Sequence, residues 1–357
     1  MLIKSFRNDE FVDREKEIKF LLDWFNKIPK EILWLYGPKS CGKTTLIEYI
    51  VENELFEDFE NLKPKDNYWV RYINLRGKLI SSYETFLESF IKPEEEYITQ
   101  KGISAGVSIA VITLKAEVLK QVKERKKDLF DALIDELNKK LKKENKKPIL
   151  IIDEIQTLED IYINGEREFL KEFLNFCVRL TKELHLSHVV ILSSNTIFIN
   201  RIYNEAKLKE TSTFYKIDHL DKETTFKYLD YHNIPKEKQS LIWDYLGGSI
   251  YRLQKFLRDR DKFASIEDYL NKQVELALSE IKHIFIMEME NEEIDIFKQI
   301  AKTIAENGFY LLQDKEDKKF VKVVSFMSQK EILFFDPLSD KIKGNNRLYE
   351  KAFERLR

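Results

Sequence analysis

Apolar residues recur at helical spacing at Ile18, Leu21, Leu22 and Phe25, and Pro29 closes that helix after a polar start to the chain. Ile32–Tyr36 is a short apolar run with the pattern of a buried strand, and Leu46, Ile47, Tyr49 and Ile50 then resume the helical period. Between these two lies GPKSCGKT at 37–44, so a glycine-bearing loop separates a strand from a helix.

Further along, 68–75 reads as a second strand and 85–90 as helical. Residues 103–114 fit either a hairpin or a buried helix, and 120–141 reads as one charged helix. The run 149–152, set between Pro148 and Asp153, has the character of a fully buried parallel strand. Phe169, Phe173, Phe176, Leu180 and Leu184 mark an amphipathic helix. Another buried strand, 189–192, runs into Ser193, Ser194 and Asn195. Strands alternating with helices predict a parallel α/β sheet, ending near Leu220.

From Asp221 the pattern is helical, with a break at Gly247 and Gly248. A helix through Ile294, Phe297, Ile300 and Ile304 is followed by a second through Val321, Val324 and Met327. Then come two short strands around Asp336 and Pro337, and a last helix. Helix, helix and a two-stranded wing is the order of a winged-helix module. The chain thus divides into a sheet domain over 1–220, a helical piece over 221–285 and a winged helix over 286–357. Its length, 357 residues, suits two or three cores.

Composition narrows the partners. Lys and Arg number 60 against 62 Asp and Glu, so no global field advertises nucleic acid or an anionic membrane, and any DNA contact has to be a local patch. No apolar stretch is long enough to cross a bilayer, and the start of the chain lacks a signal-peptide core. Cys41 and Cys177 form no CxxC pair and no disulfide framework. A reducing cytoplasm is the expected setting.

The chemistry centres on Gly37, Pro38, Lys39, Ser40, Cys41, Gly42, Lys43 and Thr44, which fit GxxxxGK(S/T), with Thr45 following. Such a loop turns backbone N–H groups inward around phosphate oxygens and aims a helix N-terminus at them. Lys43 is placed to reach the β- and γ-phosphates and Thr44 to ligate Mg²⁺. In ILIIDE at 149–154, the strand delivers Asp153 to its C-terminal edge as a second Mg²⁺ ligand. Glu154 is then the candidate base for an attacking water. Asn195 is a candidate contact to the γ-phosphate or that water. Cys41, beside Lys43 at a helix start, is expected to be a reactive thiol that ATP shields from alkylation. The Lys43-to-Asp153 separation is long, which makes 76–130 an insertion.

These motifs resemble those of the archaeal ATPase family, a branch of the STAND P-loop NTPases related to AAA+ proteins. FVDREKE at 11–17 looks like the family's N-terminal box, in which Arg14 and Glu17 match the pair beside the adenine pocket. LSSN at 192–195 is similar to its sensor region, LGGS at 246–249 to the opening of its helical lid, and 332–349 to its winged-helix end. The resemblance implies an α/β fold: an αβα P-loop NTPase sandwich followed by a lid and a winged helix. It also implies ATP and Mg²⁺ as ligands, with a homo-oligomer among the arrangements open to the family. Where relatives often carry a Gly-Arg pair, this chain has Lys207, Lys209 and Glu210, and Arg252 follows the glycine pair. Two uses of the nucleotide stand open: a slow switch that recruits a protein, or an oligomeric machine on DNA with lysines 318, 319, 322 and 330 near a recognition helix.

Overall fold

The computed structural model describes residues 3–61, 63–65, 67–75, 80, 82, 85–86, 91–93, 112–124, 126–159, 161–163, 167–199, 208, 210–313 and 317–356. Most of the helix expected at 85–90, most of the insertion read at 76–130, and Lys207 and Lys209 lie outside these residues.

Five strands form the central sheet: β1 (Ile32–Tyr36), β2 (Tyr68–Asn74), β3 (Lys147–Asp153), β4 (His188–Ser193) and β5 (Ser212–Lys216). Their spatial order is β5-β1-β4-β3-β2 and all neighbours pair in parallel. The register sets Asp153 opposite Asn74 and Leu192, and Tyr36 opposite Ser193 and Lys216, so the ends of all five strands meet along one edge. Every residue of β1 and β4 is buried, because helices cover both faces, and this is why those strands carry unbroken apolar runs. One face packs around Trp34, Ile152 and Phe173, the other around Leu33, Leu46 and Ile151.

The helix at the chain start, α1, spans Glu15–Phe25, and α2, after the glycine-bearing loop, spans Lys43–Ile50. Two departures from the sequence expectation have physical causes. The chain start is a β-hairpin, Ile3–Phe6 with Asp9–Val12, turning through Arg7 and Asn8 at positive φ. The single helix expected at 120–141 is two, α3 (Ala116–Lys123) and α4 (Leu129–Lys142). Asp128 starts the second by accepting from the Phe130 and Asp131 N–H groups. Of the segment 103–114, residues 103–111 lie outside the described residues, and Ile112–Leu114 is a strand that pairs in parallel with Ile91–Pro93.

After the sheet, α5 (Lys222–Tyr231), α6 (Lys236–Leu246), α7 (Ile250–Asp259), α8 (Ile266–Glu288) and α9 (Asn291–Asn307) follow in turn. Next come β6 (Tyr310–Leu311), α10 (Lys318–Gln329), β7 (Leu333–Asp336), β8 (Lys341–Gly344) and α11 (Arg347–Glu354). The last three strands form an antiparallel sheet in the order β6-β8-β7. Phe320, Val323, Val324 and Met327 form the buried stripe of α10, while Val321 faces out. Side chains from Leu220 through Phe353 share one apolar cluster, so the stretches 221–285 and 286–357 bury against each other. Among the described residues, no helix is long and apolar enough to cross a membrane.

Candidate functional site

The loop between β1 and α2 sits at the shared edge of the sheet, where β1 lies between β5 and β4. Gly42 ends it with φ of 93°, a backbone state that suits glycine, and leads directly into α2. Lys43 is 9% exposed, and its ammonium donates to the carbonyl oxygens of Gly37 and Pro38, each at 2.9 Å. The cation is thus solvated by the loop it would share with a phosphate. Thr44 Oγ1 donates to Asp153 Oδ2 at 2.8 Å, so the two ligand candidates read from separate motifs converge in space. Tyr72 reaches the same carboxylate oxygen at 3.5 Å, and burial followed by the Asp153 charge holds its phenol above the usual range.

A cavity of about 180 Å³ opens over these groups, lined by Lys39, Ser40, Gly42, Lys43, Thr44, Thr45, Asp153, Glu154 and Ser194. An open cradle with a helix start, a lysine and a hydroxyl-carboxylate pair is a donor set that fits a polyphosphate with a hard divalent cation. Beside it, a smaller space of about 70 Å³ lies between Phe6, Phe11 and Val12 of the N-terminal hairpin and Leu220, Ile250 and Gln254. Its lining mixes these apolar walls with hydrogen-bonding groups from Asp9, Glu10 and Gln254, a combination that suits a base.

Arg14 is 6% exposed and lines that smaller space. Its guanidinium donates to the Cys41 carbonyl at 2.6 Å, the Asp218 carbonyl at 3.0 Å and the Glu17 carboxylate at 2.9 Å. It therefore ties the N-terminal box to the loop and to the chain leaving β5, and Glu17 acts through it.

Glu154 sits just past β3 with φ of 60°, a left-handed state uncommon for glutamate. Asn195 lines a space of about 140 Å³ together with Glu154, Gln156, Lys39 and Asn345. Its side-chain oxygen accepts from the Phe198 N–H at 3.0 Å, which starts a helical turn at 196–199. Arg252 lies over the Tyr251 ring and lines a fourth space, of about 350 Å³, with Lys39 and Ser40.

Cys41 departs from the expectation. It is 0% exposed, belongs to the apolar cluster under α2, and its thiol donates to the Ile217 carbonyl at 3.1 Å. The Lys43 ammonium lies 3.7 Å from its sulfur, as the sequence neighbourhood suggests, but the full burial of the thiol corrects the sequence reading of a reactive, nucleotide-shielded group. Iodoacetamide labelling of Cys41 in the folded protein should be slow both with and without Mg-ATP, and fast labelling of the nucleotide-free form would contradict this burial.

Two features escaped the sequence. Gln156 bridges Glu154 and Ser193. The other is a set of contacts from the far end of the chain: Asn345 Oδ1 accepts from the Lys39 N–H at 3.0 Å, and Glu331 pairs with the Lys39 ammonium. Asp336 accepts from the Tyr36 hydroxyl and the Lys216 ammonium, both at 3.1 Å. Separations of 120 to 306 positions leave no local signal for such pairs.

A five-stranded parallel sheet in this order, with a glycine-bearing loop after β1 and an acid at the end of β3, the next strand but one, defines a P-loop NTPase fold. The family described as "ATPase domain predominantly from Archaea" matches residues 11–256, and the chain belongs to it. An uncharacterized ATP-binding protein of Methanocaldococcus jannaschii is 32% identical over 95% of each chain. Another, from Pyrococcus abyssi, is 32% identical over 95% of this chain and 96% of its own. Among solved structures, the Walker-type ATPase of Pyrococcus abyssi aligns over 98% of both chains with a TM-score of 0.62 at 17% identity, a likeness of fold.

Proposed function

We propose that the protein is an Mg-dependent ATP-binding switch that hydrolyses its nucleotide and, on binding ATP, frees its C-terminal part to recruit a protein partner. Lys43 and the N–H groups at the start of α2 hold the β- and γ-phosphates, Thr44 and Asp153 hold Mg²⁺, and the hairpin with Arg14 walls the base. Bound Mg²⁺ supplies charge neutralisation on the phosphate oxygens. Glu154 takes a proton from a water as its oxygen bonds to the γ-phosphorus, the bond to the β–γ bridging oxygen breaks, and ADP leaves.

The observation that carries the switch is the set of polar contacts between the nucleotide loop and the C-terminal segment. Lys39 is held through both its backbone and its ammonium by Asn345 and Glu331, on either side of β7 and β8. Phosphate entering the loop competes for the same lysine, so nucleotide state and the seating of that segment are linked. The three-part division, with residues 286–357 as a winged-helix docking module, belongs to the same reading. A homo-oligomer is compatible with it.

Acting on DNA is the weaker alternative. Of the lysines that suggested a recognition surface, Lys319 pairs with Glu290 and Glu292, Lys322 with Glu293 and Lys330 with Glu288. Their charge is spent on glutamates at the end of α8 and the start of α9.

Each contact to Lys39 is a half-exposed pair or a single hydrogen bond, worth about 1 kcal/mol. Asn345→Ala should therefore bind ATP about five-fold more tightly, and amide exchange in 332–346 should accelerate when wild type binds ATP. Unchanged affinity together with unchanged exchange would defeat the switch.

A further inference from the structure

Gln156 lies two residues beyond the acid, half-buried in the 3₁₀ turn Ile155–Leu158. Both ends of its amide are engaged: Ser193 Oγ donates to Oε1 at 3.1 Å, and Nε2 donates to Glu154 Oε2. Ser193 is 1% exposed and accepts from the Asn195 N–H at 3.1 Å. The direction of the amide follows from this. The Glu154 carboxylate only accepts, so it takes the NH₂ group, and the Gln156 carbonyl is left facing Ser193 to accept its hydroxyl proton. Donation thus runs one way, from the Asn195 backbone through Ser193 and Gln156 to Glu154, and each bond polarises the next.

The position demands an amide of this length. Glutamate at 156 would set two carboxylates against each other, and methionine would take a donor from Glu154 and an acceptor from a buried serine. The bridge also crosses from the end of β3 to the end of β4, where Asn195 and Ser194 line the space in front of Glu154.

We propose that Gln156 is a positioning residue that fixes the Glu154 carboxylate for water activation and couples its orientation to the end of β4. This rests on the reading of Glu154 as the base. Displacing a reacting group by about 1 Å can cost about 100-fold in rate, so the loss of this bridge should appear in turnover and leave nucleotide binding untouched.

Single-turnover and steady-state ATP hydrolysis, with Kd for a fluorescent ATP analogue, would be measured for wild type, Glu154→Gln, Gln156→Met, Ser193→Ala and the Gln156→Met/Ser193→Ala pair. Gln156→Met should lower kcat roughly 10- to 100-fold at unchanged Kd. Ser193→Ala should cause a smaller loss that disappears in the Gln156→Met background. Wild-type turnover in Gln156→Met, a Kd that rises in step with the loss of kcat, or additive Ser193→Ala loss would each overturn the proposal. If Glu154→Gln is inactive while Gln156→Met is not, only the positioning role fails. If Glu154→Gln turns over like wild type, the base assignment fails and the positioning role with it.

Discussion

Glu154→Gln should bind Mg-ATP as wild type does and lose about 10²- to 10⁴-fold in turnover, the range that a positioned general base supplies. The substitution keeps the shape of the side chain and removes its basicity, so Lys43, Thr44 and Asp153, the groups proposed to bind, are left in place. The acid borders the same cavity as those three residues. It is also held in a left-handed backbone conformation that a glutamate adopts at some energetic expense, as residues at reacting centres often do. Hydrolysis at the wild-type rate would remove Glu154 as the base. Isothermal titration alongside a phosphate-release assay separates the two quantities.

The second large effect concerns stability. Gly248 donates no side chain to the junction between the sheet and the helical segment, and its carbonyl accepts from the Leu220 N–H at 3.0 Å. A Cβ there would lie 1.8 Å from the Leu220 carbonyl oxygen and 2.8 Å from its nitrogen, a clash with the backbone of that residue. The strand-to-helix connection has to move to admit even one methyl group. Gly248→Ala should lower unfolding free energy by about 1–3 kcal/mol, the usual range for overpacking. Urea unfolding followed by circular dichroism would read it, and a midpoint equal to that of wild type would show that the junction yields without strain.

Much of this architecture could be read from residues in order. The strands β1, β3 and β4 announced themselves because burial on both faces leaves no room for polar side chains, and GPKSCGKT and ILIIDE fell at the ends of two of them. The edge strand β5 did not, since all five of its residues are only half-buried and STFYK carries no clean pattern. The N-terminal hairpin was hidden because its turn uses Arg7 and Asn8 at positive φ where glycine would have flagged it. Asp128 looked like one more charge in a charged helix, and only its two backbone acceptances reveal a boundary. At the site, Lys43, Thr44 and Asp153 were placed by motif spacing. Gln156 and Asn345 were not, because their roles depend on partners brought together by the fold.

The apolar cluster running from Leu220 to Phe353 has a mechanical consequence. Helices α5 to α9 and the small terminal sheet are welded into one stiff arm, since sliding them apart would expose the cluster to water. Its fulcrum is the Leu220–Gly248 backbone junction, and its tip is the hydrophilic catch formed by Glu331, Asp336 and Asn345 at the mouth of the nucleotide loop. A pull at that catch would therefore be borne by the arm as a whole rather than by any one helix within it.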